Sequence, residues 1–576
     1  MPTDFALKRV PYGIDSFSEV RSRDLAYVDK TRYIEILEAF GSDKPFIVRP
    51  RRFGKTLFTS TLSTYYDRNE AANFNKLFNG TYIAAHKTPL ANQFFILRLA
   101  FAGLASSPDV ELRFKNCVRD KLEAFFDNYP HPQQEVVLKG QFQDAAELIA
   151  RFFAVLGPAY KKKLYVIIDE YDQFANSILS NDLDKFRSIT STHGFLKDFY
   201  TQLKEAAGEG GPISKIFITG VTTISLDSMT SGFSVAKNLS FKPQTAALFG
   251  FTETELRELI PQVLDLVRYG HTLDEVVSRM KELYNGYRFS PYSEETVFNA
   301  SMCLYYLDNL CDCGEEPDPL LDTSVSNDLS KIHGILKLGT PQDVADIMLA
   351  ALARKSIPFG GTPEVMNLQE APQLSRDGLL SALFYFGYLT YAPGNSRSLI
   401  VPNRAMALQF FETYFKYLRK LPDWKSRPFD YDAAFKPLAE GNPRPLVESV
   451  TSALRRACGN HKSLHLRESD FQTALLIAAS YAPGYEYAAE LEVRGEDHGY
   501  VDLLLKSSTG GPSYLFELKY LTKAKGSPTT VAQKLKEAQA QAIAYAHGDN
   551  LKNIPQLKRV AAVFVGLELQ AFDVTP

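Results

Sequence analysis

The sequence predicts a multidomain α/β protein: an N-terminal parallel sheet, a mostly helical middle and a smaller C-terminal α/β unit. Three observations carry this. The chain has 576 residues, beyond the ~100–150 typical of one domain. To about residue 250, helical patterns alternate with short apolar runs at Pro45–Val48, Phe94–Leu97, Leu164–Ile168 and Lys215–Thr219, as in a parallel sheet covered on both faces. Late in the chain, Tyr500–Leu505 and Ser513–Lys519 flank a turn containing Gly510-Gly511-Pro512, the pattern of a β-hairpin.

These runs divide the chain into 1–250, 251–430 and 444–576. The middle opens on Thr252, with Glu255 three residues on as a capping box, and Leu256, Leu259, Ile260 and Val263 follow at helical spacing. Cys311–Thr323 reads as a loop, Phe359–Pro363 as a Gly-rich break and Pro422–Pro443 as a boundary. Gly387–Thr390 and Val401–Asn403 suggest a small hairpin of winged-helix type. In the last part a helix is expected at Val531–Tyr545 and a strand at Val560–Leu567.

Composition narrows the function classes. Hydrophobic residues at 45% and charged residues at 23% exclude a disordered tail or a coiled-coil rod. A net charge of −3 leaves no global basic field for nucleic acid or anionic lipid. The five cysteines are too scattered for a disulfide framework and read as ordinary thiols. No apolar stretch approaches the ~20 residues of a membrane span, and the N-terminus lacks the apolar segment of a leader. The expectation is an intracellular, cytoplasmic protein with no membrane partner, or a nuclear one if the source is eukaryotic.

The first chemical constellation follows the first apolar run. Arg49-Pro50-Arg51-Arg52-Phe53-Gly54-Lys55-Thr56 leads from a strand into a helix. Gly54 lets backbone N–H groups approach phosphate oxygens, Lys55 brings a cation to the β/γ-phosphates, and the Thr56 hydroxyl is a Mg²⁺ ligand. Arg49 stands where the usual pattern has glycine. A Gly-Lys-Thr triplet alone also describes a solvated basic turn. The run Leu164–Ile168 ends in Asp169 and Glu170, a metal-binding carboxylate and a second one to polarise the attacking water; Asp169 alone would also suit a helix cap. Thr219-Gly220-Val221-Thr222-Thr223 ends a third run with hydroxyls that either sense the γ-phosphate or form a turn. All three in this order point to a P-loop and to ATP or GTP.

The second constellation lies in the late hairpin. Glu517 and Lys519 are two apart, hence on one strand face, and Asp502 is on the partner strand. Asp502 and Glu517 suit Mg²⁺, with Lys519 positioning the nucleophile or neutralising the transition state of phosphodiester hydrolysis. A surface ion pair is the plainer alternative. Upstream, Glu492 is a further metal-ligand candidate and Glu468 an acidic ligand or a helix-start charge. Charge over residues 441–576 is nearly balanced, so no electrostatic footprint of nucleic acid accompanies the site.

Beyond these motifs the chain resembles the AAA-ATPase-like family of P-loop proteins with a C-terminal PD-(D/E)XK nuclease-like domain. The likeness rests on Pro11–Asp15, Tyr27–Thr31, Arg49–Thr56, Ile168–Glu170, Phe217–Val221 and Tyr284–Phe289, and extends to Gly387–Thr390 and Val401–Asn403. It implies that the arginine at 49 is a family feature, and that Gln541 with Tyr545 belongs to the glutamine-bearing helix of the nuclease fold. With Gly54, Lys55, Thr56 and Asp169, Arg49 and Arg52 make up the expected nucleotide-binding set; any one of Arg49, Arg51 and Arg52 could clamp the γ-phosphate or belong to a salt-bridged, solvated turn, and the sequence does not decide which arginine meets phosphate. Arg288 is either a sensor arginine or a structural one.

The resulting expectation is an ATP-dependent or ATP-gated nuclease. Glu170 serves hydrolysis of ATP, and Asp502, Glu517 and Lys519 serve Mg²⁺-dependent cleavage of DNA. Homo-oligomers through the ATPase domain are compatible with it. The alternative is an ATP-binding switch whose nuclease-like module only binds nucleic acid or protein.

Overall fold

The computed structural model describes residues 7–101, 109–173, 188, 194–223, 236–317, 320–322, 332–352, 356–363, 374–407, 409–410, 431–458, 468–479, 482, 484–493 and 499–576. The chain divides into two compact units, Met1–Val344 with Ser356–Met406, and Ala345–Lys355 with Ala407–Pro576. Most of the expected helical middle therefore shares a unit with the N-terminal sheet.

That sheet contains β1 (Pro45–Val48), β2 (Phe95–Ala100), β3 (Leu164–Asp169), β4 (Ile213–Gly220) and β5 (Lys237–Asn238), in the order β2-β3-β4-β1-β5. Every pairing is parallel. β1 and β3 are buried along their whole length, which is why they read as unbroken apolar runs rather than alternating ones. The pairs Val48↔Gly220 and Ile168↔Ile218 bring the carboxyl ends of β1, β4 and β3 to one level. With β4 between them, β1 and β3 stand ~10 Å apart. The loop after β1 and the carboxylates after β3 thus face each other across a crevice at the carboxyl edge, where open α/β sheets bind ligands.

Elsewhere in this unit the Thr252/Glu255 capping box forms as expected and starts the helix Glu253–Val263. A small antiparallel sheet joins β6 (Ile357–Pro358), β7 (Thr390–Ala392) and β8 (Asn395–Ile400); its hairpin lies between the two expected segments and shares only Thr390 with them. The reading of Cys311–Thr323 as loop needs correction at its start. The helix Ala300–Cys313 runs through both cysteines, and Gly314, at φ 73°, ends it in the left-handed conformation.

The second unit carries β9 (Tyr485–Val493), β10 (Gly499–Ser507), β11 (Ser513–Leu521), β12 (Leu557–Val565) and β13 (Glu568–Thr575), in the order β13-β12-β11-β10-β9. β9, β10 and β11 form an antiparallel meander. β12 lies parallel to β11 and is reached through the helix Pro528–Ala546. One sheet face packs Leu503, Phe516, Leu518, Val560 and Phe564 against Phe471 and Leu475. The other holds Leu515 and Leu504 against Ala542 of the crossover helix. The apolar run Val560–Leu567 is not one strand: Gly566, at φ 59°, turns the chain back into β13. β13 is only half-buried and polar in places, so it lacks the apolar signature that marks β12.

Candidate functional site

Gly54 caps the helix Lys55–Tyr66 at φ 88°, ψ 21°, a left-handed conformation that costs glycine little and other residues more. The loop is braced from behind by residues distant in sequence. Phe53 O accepts from Gly250 N at 2.9 Å and Arg52 O from Ser301 N at 3.0 Å. Helix and loop open onto a cavity of ≈ 610 Å³. Its lining includes the polar set Arg51, Gly54, Lys55, Thr56, Asp169 and Glu170 and the apolar residues Ile14, Val28, Leu248, Phe251, Leu259 and Leu304. Polar side chains with helix N–H groups suit phosphates, and apolar lining suits a planar base.

Lys55 is almost fully buried, and its Nζ donates to Arg49 O at 3.0 Å and Pro50 O at 2.8 Å. Burial pulls its ammonium below the usual lysine range, while Glu170, Asp169 and Asp172 pull the other way. Burial pushes the Glu170 carboxyl up, against the opposing pull of Lys55. Asp169 accepts from Thr59 Oγ1 at 3.3 Å through Oδ2, and its buried Oδ1 has no hydrogen-bond partner among the described residues. An orphaned carboxylate oxygen costs free energy unless a cation or water meets it. With the Thr56 hydroxyl on the same cavity, the pair fits a hard divalent cation.

Residues 11–230 match a family model described as a predicted AAA-ATPase. The match to a predicted AAA-type ATPase domain covers the N-terminal part of the chain, which holds β1 to β4 and the cavity's Gly54, Lys55, Thr56, Asp169 and Glu170. An uncharacterized protein from the vnfD 5′ region of Azotobacter chroococcum mcd 1 is 28% identical over 296 residues, 51% of this chain and 50% of that protein. The chain thus spans about half the length of that curated relative. Among solved structures, the Walker-type ATPase PABY2304 of Pyrococcus abyssi aligns over 70% of this chain and 99% of its own, at 10% identity and a TM-score of 0.37. Among the described residues no helix is long and apolar enough to cross a membrane.

Several expected roles within the ATPase-like domain change. Arg49 does not line the cavity. It is buried, donating to Val48 O at 2.8 Å, Ser240 O at 2.7 Å and Thr245 O at 3.0 Å, with its guanidinium 4.5 Å from the Phe289 ring. Its two Nη groups anchor the loop to the segment after β5, while its buried Nε has no hydrogen-bond partner among the described residues; turned away from the cavity, it is no phosphate contact. Arg52 does reach the cavity but is exposed, at φ 70°. Arg288 is structural: it donates to Ala392 O at 2.7 Å and to Ser293 O and Glu294. The Thr222 hydroxyl is likewise not a phosphate sensor, because it donates to Asp172 Oδ2 at 2.6 Å.

Asp172 is the residue that the sequence reading missed. It is fully buried, and accepts from Val221 N at 3.0 Å and Thr222 N at 2.6 Å besides the Thr222 hydroxyl. Tyr171 N donates to Thr219 O at 3.1 Å and its hydroxyl to Thr222 O at 2.7 Å. The turn after β3 is thereby fastened over the end of β4, holding Glu170 at φ 52°. A Cβ on Gly220 would lie 2.4 Å from Asp172 Oδ1 and 2.5 Å from Tyr171, so the turn seats only on glycine. The available signal was two further polar and aromatic residues directly after the carboxylate pair.

In the second unit the structure brings Asp502, Glu517 and Lys519 together. Asp502 lies one step beyond the Leu503↔Phe516 pair, and its Oδ2 accepts from Leu518 N at 2.6 Å. Its Oδ1 accepts from Gln472 of the helix Glu468–Ala479. Glu517 is buried, and its Oε2 lies 3.7 Å from Lys519 Nζ. The side chains of Glu492 and Glu468 lie outside the described residues; Glu492 pairs in register with Tyr500, and Glu468 begins its helix. Among the described residues no group of three or more His, Cys, Asp or Glu is placed to hold a metal ion. The carboxylate pair alone still fits one, because each oxygen accepts more than one contact.

Proposed function

We propose that the protein is an ATP-dependent or ATP-gated nuclease, in which nucleotide binding and hydrolysis at the N-terminal loop control phosphodiester cleavage of DNA by the C-terminal unit. The observation that carries this reading is a single cavity lined by a left-handed Gly54, Lys55 and Thr56 together with Asp169, Glu170 and apolar residues. The backbone N–H groups and Lys55 bind the phosphates. Thr56 and Asp169 would hold Mg²⁺, which when bound supplies charge neutralisation at the β- and γ-oxygens. Glu170 accepts a hydrogen bond from the attacking water and orients it in line with the bond between the γ-phosphorus and its bridging oxygen.

The nuclease half is supported by Asp502, Glu517 and Lys519 meeting on adjacent strands of a sheet whose β11 and β12 are joined by a crossover helix. Asp502 and Glu517 would hold the metal, and Lys519 would sit beside the developing negative charge. A second reading, in which this module only binds nucleic acid or protein, is favoured by Asp502, whose two oxygens each already accept a hydrogen bond. Cleavage of plasmid and linear DNA by wild type, Lys55→Ala and Glu517→Ala, with and without ATP, separates them. Gated cleavage predicts ATP-dependent cutting lost in both variants. No cutting by wild type with Mg²⁺ or Mn²⁺ leaves the binding module. Light scattering with and without ATP tests assembly through the ATPase domain.

A further inference from the structure

We propose that the outer edge of β2 carries an oxyanion site, separate from the nucleotide cavity, that takes inorganic phosphate. The site itself does not need the ATPase reading above; only its supply rests on that reading.

β2 is an edge strand of the N-terminal sheet. Phe95 N donates to Lys163 O at 2.9 Å and Phe101 N to Asp169 O at 3.4 Å. The odd-numbered amides of β2 therefore face β3, and the even-numbered ones face outward. Ile96 N follows this alternation, donating to the Tyr129 hydroxyl at 3.2 Å, and the amides of Arg98 and Ala100 continue the outward row. Ile96, Arg98 and Ala100 line a cavity of ≈ 320 Å³, whose other side is one face of the helix Val110–Asn128, with Lys121, Phe125 and Asn128.

Two cations meet in this cavity. Among the described residues neither Arg98 nor Lys121 makes an ion pair or a side-chain hydrogen bond. Asp67, the only carboxylate of the lining, is engaged in its own turn, where Oδ1 accepts from Asn69 N at 2.8 Å. Outward amides with a guanidinium and an ammonium form the donor set of a tetrahedral oxyanion. Position selects phosphate. Ala100 lines both this cavity and the nucleotide cavity, and it pairs in register with Asp169. Hydrolysis converts ATP and water to ADP and inorganic phosphate beside Asp169 and Glu170. Arg98 stands about 6–7 Å along β2 from Ala100. Phosphate leaving past Ala100 meets these donors, while ADP stays on the Gly54–Thr56 loop.

Calorimetric titration of the full chain with inorganic phosphate tests this, after a non-hydrolysable ATP analogue and Mg²⁺ have filled the nucleotide cavity. Wild type binds one phosphate. Arg98→Ala weakens it by about 10- to 100-fold, the span of one charge-assisted contact, and Lys121→Ala by about 3- to 10-fold. Arg98 is exposed and Lys121 half-buried, so both variants keep the wild-type melting temperature and bind the analogue within about threefold. No phosphate binding to saturated wild type overturns the proposal, as does undiminished binding in the double variant Arg98→Ala, Lys121→Ala. If the analogue does not bind at all, the same titration runs on the free protein. Phosphate binding lost in the double variant then keeps the edge site and removes the nucleotide-binding reading instead; binding retained there overturns the edge site.

Discussion

Replacing Asp172 by alanine perturbs the fastening between the two strand ends that frame the cavity, and its size follows from the contacts. The carboxylate is fully buried and receives Val221 N at 3.0 Å, Thr222 N at 2.6 Å and the Thr222 hydroxyl at 2.6 Å. Val221 and Thr222 are themselves buried, so all three donors lose their acceptor with little access to water. At ~1–3 kcal/mol per orphaned group, and with some relaxation, local opening of the β4 end should become easier by about 3–5 kcal/mol. That corresponds to exchange roughly two to three and a half orders of magnitude faster, at 1.4 kcal/mol per tenfold. Hydrogen exchange read by mass spectrometry on a peptide spanning residues 213–223 measures it. Asp172→Asn keeps one acceptor oxygen and should show about half the effect. Because the same turn holds Glu170, ATP turnover should fall in Asp172→Ala while nucleotide affinity changes less. Exchange in that peptide staying within threefold of wild type would refute the fastening.

Lys55→Ala should weaken ATP by about 10- to 100-fold, measured by calorimetry, and should also lower the melting temperature, because it leaves the buried Arg49 O and Pro50 O without the Nζ donor. Burial raises the Glu170 pKa, so the acid limb of kcat/KM for ATP hydrolysis should lie above the ~4.3 of a free glutamate. Activity should fall as pH drops through that raised value, and the limb should vanish in Glu170→Gln. The same shift makes the contribution of Glu170 to stability greatest at low pH and lost as pH rises through the raised value. Asp502→Asn should retain an acceptor for Leu518 N but remove the charge; any Mg²⁺-dependent cleavage should drop by two orders of magnitude or more with unchanged circular dichroism. Gly220→Ala should destabilise the N-terminal unit by about 1–3 kcal/mol through overpacking, since its Cβ would meet Asp172 Oδ1 and Tyr171 at 2.4–2.5 Å; urea unfolding reads this.

Much of the architecture is written locally. The apolar runs at β1, β2, β3 and β4, of which β1 and β3 are buried throughout, declare a parallel sheet because strands apolar on both faces cannot stand in water. Gly54, Lys55, Asp169 and Glu170 are legible because phosphate and metal chemistry restricts which residues serve at a strand's carboxyl end. The capping box at Thr252 and the hairpin holding Asp502, Glu517 and Lys519 are equally short-range patterns. Tertiary structure alone decided the remainder. Arg49, Arg51 and Arg52 are one chemistry in a row, and only packing against Ser240, Thr245 and Phe289 turns Arg49 inward and leaves Arg51 on the cavity. The apolar lining joins Ile14 and Val28 to Leu248, Phe251, Leu259 and Leu304, residues far apart along the chain that no periodicity links. Asp172 gains its fastening role only because β4 lies beside β3, which brings Val221 and Thr222 to its carboxylate. Local pattern fixes what a residue is able to do, whereas the direction its side chain faces is set by neighbours that only the folded chain brings near.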